Sequence, residues 1–182
     1  MGGHTWRARH SHTNARGPAN GRGPSRFEPR FRRRRQTWFA CQFALLGILD
    51  KGLPHIQRHR DTVIVIDHLG LLQPARPPVP ADVWADLPKL LALAQYENVR
   101  VKISGACTMS HQLFPYDDIW GPVLRVIDAF GLDRCMWGTD WTRTIGMLTY
   151  EQGVAPFRDT KRLSENDKAA LMGGTLEKVY KW

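Results

Sequence analysis

The stretch TVIVIDHLG, residues 62–70, decides the fold class. Its first five residues are all β-branched, which is typical of a strand buried on both faces of a parallel sheet. Two further strand-like runs follow, NVRVKIS at residues 98–104 and RCMWG at residues 134–138. The starts of the three strands lie 36 residues apart each time: Val63, Val99 and Cys135. This repeat predicts βαβ units with right-handed crossovers, and therefore a parallel α/β sheet.

Helical patterns lie between these strands. An apolar face recurs over residues 84–94, and Pro88 predicts that the regular helix begins near Asp86. The run TWFACQF, residues 37–43, indicates a fourth and weaker strand, followed by a helix through about Arg58. Four consecutive βα units are compatible with an open α/β sheet and with part of an eight-stranded barrel.

Two later helices have recognisable ends. An apolar face over residues 119–130 is opened by Asp117 or Asp118 and closed by Gly131. A final helix through Leu171 begins at an S-x-x-D capping box, formed by Ser164 and Asp167.

The basic character of the chain is confined to its first residues. Residues 1–35 hold ten arginines, no lysine and one acidic residue, Glu28, so they carry the whole net charge of +9. Rich in Gly and Pro and without apolar periodicity, residues 1–36 are predicted to be a disordered tail, followed by one domain over residues 37–182. Such an arm leaves open an alternative function, nucleic-acid binding through phosphate contacts, although no aromatic-basic interleaving accompanies it.

Cysteine usage and hydropathy bear on location. The three cysteines, Cys41, Cys107 and Cys135, are odd in number and form no C-x-x-C pair. They indicate small apolar side chains in a reducing compartment, so we expect a cytoplasmic protein. The run WFACQFALLGIL, residues 38–49, imitates a signal peptide after four arginines, but it lacks a clear small-residue cleavage site. Its twelve residues are too few to span a bilayer, so we expect no membrane association.

Polar groups follow these three predicted strands, each beside a glycine. These are Asp67 and His68 before Gly70, Lys102 and Ser104 before Gly105, and Thr139 and Asp140 after Gly138. The carboxyl ends of parallel strands form one rim, which is where the active sites of α/β proteins lie. The polar groups are therefore expected to converge on one site.

The motifs VIDHLG, VKISG and MWGTDW, in this order and spacing, resemble the last three strands of the amidohydrolase-related family. That branch of the amidohydrolase superfamily contains pyrone-dicarboxylate lactonase, sugar lactonases and related decarboxylases. The ending LSENDKAALMGGTLEKVYKW is similar to the terminal helix of those proteins, and the resemblance covers about residues 45–182. It implies the C-terminal part of a (β/α)8 TIM-type barrel, with strands five or six through eight.

The resemblance also implies a reaction. It points to a hydrolase that opens a small carboxylated lactone or cyclic ester, with Asp140 matching the family's strand-eight aspartate, a metal ligand or the general base that activates water. His68 matches the strand-six histidine, which polarises the substrate carbonyl or binds metal. On this interpretation, Asp140→Asn abolishes activity and barely changes the melting temperature.

Structural roles remain open for the same residues. Asp140 also suits an N-cap or an ion pair with Arg143, and His68 suits a core-edge position bonded to backbone. Lys102 could orient a substrate carboxylate or pair with Asp67. The candidate substrate-binding residues are Lys102, Ser104, Arg143 and Trp141.

The metal ligands that the resemblance implies are incomplete. His10 and His12 have H-x-H spacing, but they stand in the arginine-rich segment without a preceding apolar strand. Residues 38–47 contain no strand-five histidine, and Thr142 stands where the family usually has proline. With at most two ligands visible, no complete zinc site can be assembled, and a divalent metal such as zinc is implied by resemblance alone.

By the same resemblance, roughly half the barrel is absent, so the enzyme is expected to be truncated, and activity of the chain alone stays open. An alternative is a non-catalytic half-barrel that serves as an assembly partner. Unpaired sheet edges at residues 37–43 and 134–138 favour aggregation unless they are covered. Two copies that paired these edges would restore an eight-stranded ring, so we expect a homodimer that binds a small-molecule substrate.

Overall fold

A computed structural model describes residues 40–181 of the chain. The predicted disordered tail and the pair His10 and His12 lie outside the described residues, as do the first three residues of the predicted first strand. Within the described part, no helix is both long enough and apolar enough to cross a membrane.

Strands and helices alternate through the described chain. The strands are β1 (Ala40–Phe43), β2 (Val63–Ile66), β3 (Val99–Ser104) and β4 (Cys135–Gly138). The helices are α1 (Leu49–Arg58), α2 (Leu87–Ala92), α3 (Trp120–Phe130), α4 (Trp141–Thr144), α5 (Tyr150–Arg158), α6 (Glu165–Ala169) and α7 (Thr175–Tyr180). Short 3₁₀ turns include Asp67–Gly70 and Ala106–Met109, which directly follow β2 and the Gly105 turn after β3.

The four strands form one parallel sheet in the order β1-β2-β3-β4. Ile66 aligns with Val101 across β2 and β3, and Ile103 aligns with Trp137 across β3 and β4. The prediction of a parallel α/β sheet with a fourth, N-terminal βα unit is confirmed. Because every strand runs the same way, the residues that follow β2, β3 and β4 meet at one rim.

Alternation along the strands separates two faces. The apolar residues of one face are buried in a common core with the helices: Ile64, Ile66, Val99, Val101, Ile103 and Cys135 from the sheet, with Ile56, Leu90 and Val123 from the helices. Each fully buried aliphatic side chain contributes about 1.5–3 kcal/mol relative to exposure. Since successive side chains point to opposite faces, Lys102 lies on the other face of β3, and Asp67 directly follows Ile66, the residue aligned with Val101.

Several predicted helix boundaries are confirmed. Helix α1 ends at Arg58, Asp86 occupies the N-cap position of α2, and Gly131 ends α3 with a positive φ of 78°. Ser164 and Asp167 form the predicted capping box, with reciprocal side-chain to backbone hydrogen bonds.

Two predicted helix details are wrong. Neither Asp117 nor Asp118 caps α3 with its side chain, because Asp118 instead accepts hydrogen bonds from the Ser110 hydroxyl and the His111 backbone N–H. The last helix does not continue regularly through Leu171, since α6 passes into a π-helical turn at Ala170–Gly174 before α7 begins.

Candidate active site

The backbone is left-handed at the two predicted catalytic residues. His68 has φ 50° and ψ 41°, two residues beyond the end of β2. Asp140 has φ 54° and ψ 43°, two residues beyond the end of β4. Left-handed backbone is costly for most L-residues, and it concentrates at functional sites. The rim therefore presents both side chains from left-handed turns that directly follow strands.

The structure brings His68, Ser104 and Asp140 together. The Nδ1 atom of His68 lies 2.9 Å from Ser104 Oγ and 3.5 Å from Asp140 Oδ2. Ser104 is buried, whereas the side chain of His68 keeps 24% of its surface exposed. His68 Nε2 makes no hydrogen bond to any residue in the range 40–181, since its nearest carboxylate, Asp67 Oδ2, lies 3.9 Å away. One ring nitrogen is thus held by the Ser104 hydroxyl, while the other has no hydrogen-bond partner within residues 40–181.

Asp67 and Lys102 form an ion pair beside this cluster. Lys102 Nζ lies 3.3 Å from Asp67 Oδ1, and Gln42 Nε2 donates to Asp67 Oδ2. The structural role left open for Lys102 is therefore observed. Tyr180 donates its hydroxyl to Gln42 Oε1 at 3.4 Å, and both burial and the Asp67 carboxylate raise the pKa of Tyr180. The phenol thus stays protonated as a donor through neutral pH.

Asp140 is paired with Arg143, and it is not a side-chain N-cap. Arg143 Nε donates to Asp140 Oδ2 at 2.5 Å, and Asp140 makes no capping hydrogen bond to α4. Asp140 Oδ1 has no hydrogen-bond partner among residues 40–181. Of the two structural alternatives from the sequence, the ion pair is observed and the cap is not.

The remaining donors of Arg143 reach two other loops of the rim. Its Nη1 donates to Pro74 O at 2.5 Å, its Nη2 donates to Gln73 Oε1 at 2.5 Å, and both nitrogens lie 3.2 Å from Thr108 Oγ1. Gln73 in turn donates to the backbone oxygens of His68 and Ser104, at 3.2 and 2.9 Å. Sequence reasoning missed Gln73 and Thr108; their only signal is position, a few residues beyond a strand end.

The two tryptophans that flank Asp140 have different environments. Trp137 is partly buried against the core, and its ring centroid lies 6.1 Å from that of Phe157, as expected for a packing residue. Trp141 begins helix α4, and its ring meets Tyr150 edge to face at 5.4 Å. Its predicted contact with substrate stays a prediction.

The buried cysteines are poor candidates for nucleophiles. Burial raises the pKa of Cys107 and of Cys135 to about 12, and both thiols are enclosed by the core. All three cysteines are free, which agrees with their interpretation as small apolar side chains.

The described residues alone do not fit a zinc ion. Nowhere in the range 40–181 do three His, Cys, Asp or Glu side chains converge as a metal site would require. His68 and Asp140 would supply two ligands, fewer than the three that catalytic zinc sites use. In addition, Asp140 Oδ2 already accepts from the Arg143 guanidinium, a cation that competes for the same lone pairs.

Consecutive parallel βα units that gather an imidazole, two carboxylates and a lysine at the carboxyl ends of their strands are typical of α/β enzymes, whose active sites lie at this rim. Comparison with known proteins names the family. A sequence model described as amidohydrolase matches residues 54–182, which is more than half of the chain. The chain belongs to the amidohydrolase family.

Two curated relatives and one solved structure show how the chain compares with longer members. The 4-sulfomuconolactone hydrolase of Rhizobium radiobacter is 32% identical over 50% of this chain and 29% of its own. The D-galactarolactone isomerase of Agrobacterium fabrum (strain C58) is 30% identical over 69% of this chain and 39% of its own. A zinc-bound crystal structure of an amidohydrolase from Burkholderia multivorans superposes with a TM-score of 0.59 and 28% identity, over 73% of this chain and 49% of its own.

These comparisons confirm both the predicted resemblance and the predicted barrel fold. The described strands correspond to part of a (β/α)8 barrel. The chain spans less than half the length of each of these relatives.

Proposed function

We propose that the protein hydrolyses a small carboxylated lactone or cyclic ester. The observation that carries this proposal is the juxtaposition of two complementary groups at the rim. Asp140 Oδ2 lies 3.5 Å from His68 Nδ1, while Asp140 Oδ1 and His68 Nε2 have no hydrogen-bond partner within residues 40–181. A general base and an electrophile each need a free atom, and these two side chains lie side by side.

In this proposal, Asp140 is the general base. Its Oδ1 takes a proton from the attacking water, while Arg143 holds Oδ2 in a charge-assisted hydrogen bond. Water then adds to the lactone carbonyl, and the ring opens when the bond from the carbonyl carbon to the ring oxygen breaks. The ring oxygen leaves as a hydroxyl after accepting the proton that Asp140 took from water, which regenerates the carboxylate and gives a hydroxy acid.

His68 is the electrophile, and the Ser104 hydroxyl orients its ring through Nδ1. If the Ser104 hydroxyl donates to Nδ1, the proton of the neutral imidazole resides on Nε2, which can then donate to the carbonyl oxygen of the substrate. The negative charge that develops on that oxygen strengthens this bond in the transition state.

We assign substrate recognition to Lys102 and Trp141. The Lys102 ammonium is partly exposed and lies beside His68 through its partner Asp67, so it can share its charge with a substrate carboxylate. The Trp141 ring offers an apolar wall next to Asp140. The names of both curated relatives specify lactones as substrates, which supports the substrate class.

A divalent metal such as zinc is supported for the family by the zinc-bound Burkholderia multivorans structure. In the described residues the donor set falls short of three ligands, so each step above uses only the chain's own groups. The cytoplasmic location predicted from the cysteines is retained as part of the proposal.

The test uses the full 182-residue chain and a panel of six-membered and five-membered lactones that carry a carboxylate. Acid release with a pH indicator reports hydrolysis, and NMR of the products separates a hydroxy acid from an isomerised lactone. Each assay is run with a chelator and with added zinc. We expect hydroxy acid from at least one lactone. Failure with the whole panel under both metal conditions refutes the proposal, and an isomeric lactone as the product replaces hydrolysis with isomerisation.

Ser104→Ala separates the proposed role of Ser104 from that of a nucleophile. Loss of one orienting hydrogen bond predicts a fall in kcat of about 10-fold, because about 1.4 kcal/mol corresponds to a factor of ten. Complete loss of activity, together with an acyl adduct in the mass spectrum of the wild-type chain, would instead identify Ser104 as the attacking group.

A further inference from the structure

All five N–H donors of Arg143 are used inside the protein. The guanidinium bonds Asp140 after β4, Thr108 after β3, and both Gln73 and Pro74 after β2. A single side chain therefore joins the loops that follow three neighbouring strands. The side chain of Arg143 is only 23% exposed, so water competes weakly for these bonds.

Gln73 extends this connection to the backbone of the other catalytic residue. It accepts from Arg143 Nη2 at 2.5 Å and donates to the backbone oxygens of His68 and Ser104. Gln73 is itself buried, and a buried amide must keep its partners. The left-handed turn at His68 and the carboxylate of Asp140 are thus linked through two side chains.

Gly105 shows how closely the linked groups approach the end of β3. Its backbone has a φ of 68°, and a Cβ there would lie 2.5 Å from Gln73 Oε1 and would also collide with Arg143 Nη2. Only a residue without a side chain allows the guanidinium and the amide to pass over this turn.

We propose that Arg143 is a positioning residue: through Gln73 it fixes the distance between Asp140 and His68, and it does not bind substrate. This inference rests on the proposed function for its catalytic consequence. A guanidinium without a free donor cannot bind a substrate carboxylate unless it gives up bonds to the rim. Its planar fork also matches the directions of its acceptors, which an ammonium cannot reproduce.

The first experiment does not depend on catalysis. Hydrogen exchange is measured by mass spectrometry on the full chain and on its Arg143→Met and Arg143→Lys variants. We expect Arg143→Met to speed exchange about 10-fold in three separate segments, residues 67–75, 105–110 and 139–145, with a smaller increase for Arg143→Lys. Unchanged exchange in residues 67–75, the segment most distant in sequence, would overturn the proposal.

The matched control is Arg158→Met. Arg158 is also ion-paired, to Glu151 at 2.6 Å and Asp159 at 2.7 Å, but it is half exposed on α5. Its replacement is expected to leave the three rim segments unchanged. If Arg143→Met does not fold, Gln73→Ala removes only the bonds from Gln73 to Arg143 Nη2, His68 O and Ser104 O, and it is expected to speed exchange in residues 67–75.

Kinetics then distinguish positioning from substrate binding. A misplacement of about 1 Å costs roughly 100-fold in rate, so we expect Arg143→Lys to lower kcat by about that factor and to leave KM within about 3-fold. A raised KM with an unchanged kcat would make Arg143 a substrate ligand, and unchanged kinetics would leave it only a structural role; either result overturns the proposal. A wild-type chain without lactonase activity would refute the proposed function, while the exchange result still decides whether Arg143 joins the loops.

Discussion

Replacement of Asp140 by asparagine tests two roles of this residue, its ion pair with Arg143 and its proposed function as the general base. Asn keeps the shape of the side chain and tolerates left-handed backbone about as well as Asp, so the φ of 54° adds no new strain. It removes the charge that Arg143 Nε meets at 2.5 Å. A hydrogen bond to a charged group contributes about 1.5–3 kcal/mol and a neutral one about 0.5–1.5 kcal/mol.

The difference between the charged and the neutral hydrogen bond predicts a loss of about 1–1.5 kcal/mol in the free energy of unfolding for Asp140→Asn. For a domain of this size, that corresponds to a fall of roughly 2–6 °C in melting temperature. This exceeds the negligible change expected from the sequence, because the sequence left the bond to Arg143 open. Removal of a general base is expected to lower kcat about 100-fold to 10,000-fold.

Thermal unfolding and the lactone assay are measured on Asp140→Asn, Asp140→Ala and Asp128→Asn. Asp140→Ala should lose about 1 kcal/mol more than Asp140→Asn, because alanine fits the left-handed turn poorly. Asp128 is exposed on α3 and pairs with no cation among residues 40–181, so its replacement is expected to change neither quantity. Asp140→Asn with wild-type melting temperature would refute the charge-assisted bond, and full activity would refute the role of Asp140 as the base.

Three further predictions follow from packing, burial and sheet edges. Gly105→Ala is expected to destabilise the fold by about 2–4 kcal/mol, because its Cβ would meet Gln73 Oε1 at 2.5 Å. The control Gly121→Ala has open space around its Cβ and should be neutral or slightly stabilising. Equal melting temperatures for the two variants would contradict this prediction. Burial raises the pKa of the Cys107 and Cys135 thiols to about 12, from about 9 in the unfolded chain, so the stability they contribute below pH 9 is lost as pH rises towards 12. In urea titrations, the free energy of unfolding is expected to fall by about 1.4 kcal/mol per thiol at pH 10. Iodoacetamide labelling of both thiols in the folded protein at pH 9 would refute their burial. Light scattering is expected to find a dimer that pairs the edges of β1 and β4, and a strictly monomeric, cooperatively folding chain would exclude it.

The strands and their spacing could be predicted because local composition determines them. The β-branched run before Asp67 is typical of a buried strand, and the 36-residue repeat of strand starts reappears in the structure at Val63, Val99 and Cys135. Ser164 caps α6 as predicted, because the two partners of a capping box lie three residues apart in the chain.

The connections within the site could not be predicted, because they join residues distant in sequence. Arg143 meets Gln73 across 70 positions, and no local pattern marks either residue as a partner of the other. The left-handed backbone at His68 and Asp140 could not be predicted either. His68 and Asp140 belong to residue types that tolerate the left-handed region, but tolerance does not indicate that the turn is used. The π-helical turn after α6 likewise has no signal beyond Gly173 and Gly174.

The guanidinium that joins three loops has a consequence for engineering. In barrel enzymes, the loops after the strands are commonly treated as exchangeable modules, so that a new specificity can be grafted by replacing one of them. Here the loop after β2 cannot be exchanged alone. A grafted loop without an amide at the position of Gln73 would leave one N–H of Arg143 without an acceptor, and it would remove the hydrogen bond to the backbone oxygen of His68. A successful graft would have to carry Gln73, Gly105, Thr108 and Arg143 as one inherited set, so directed evolution of this rim should find paired changes more often than single ones.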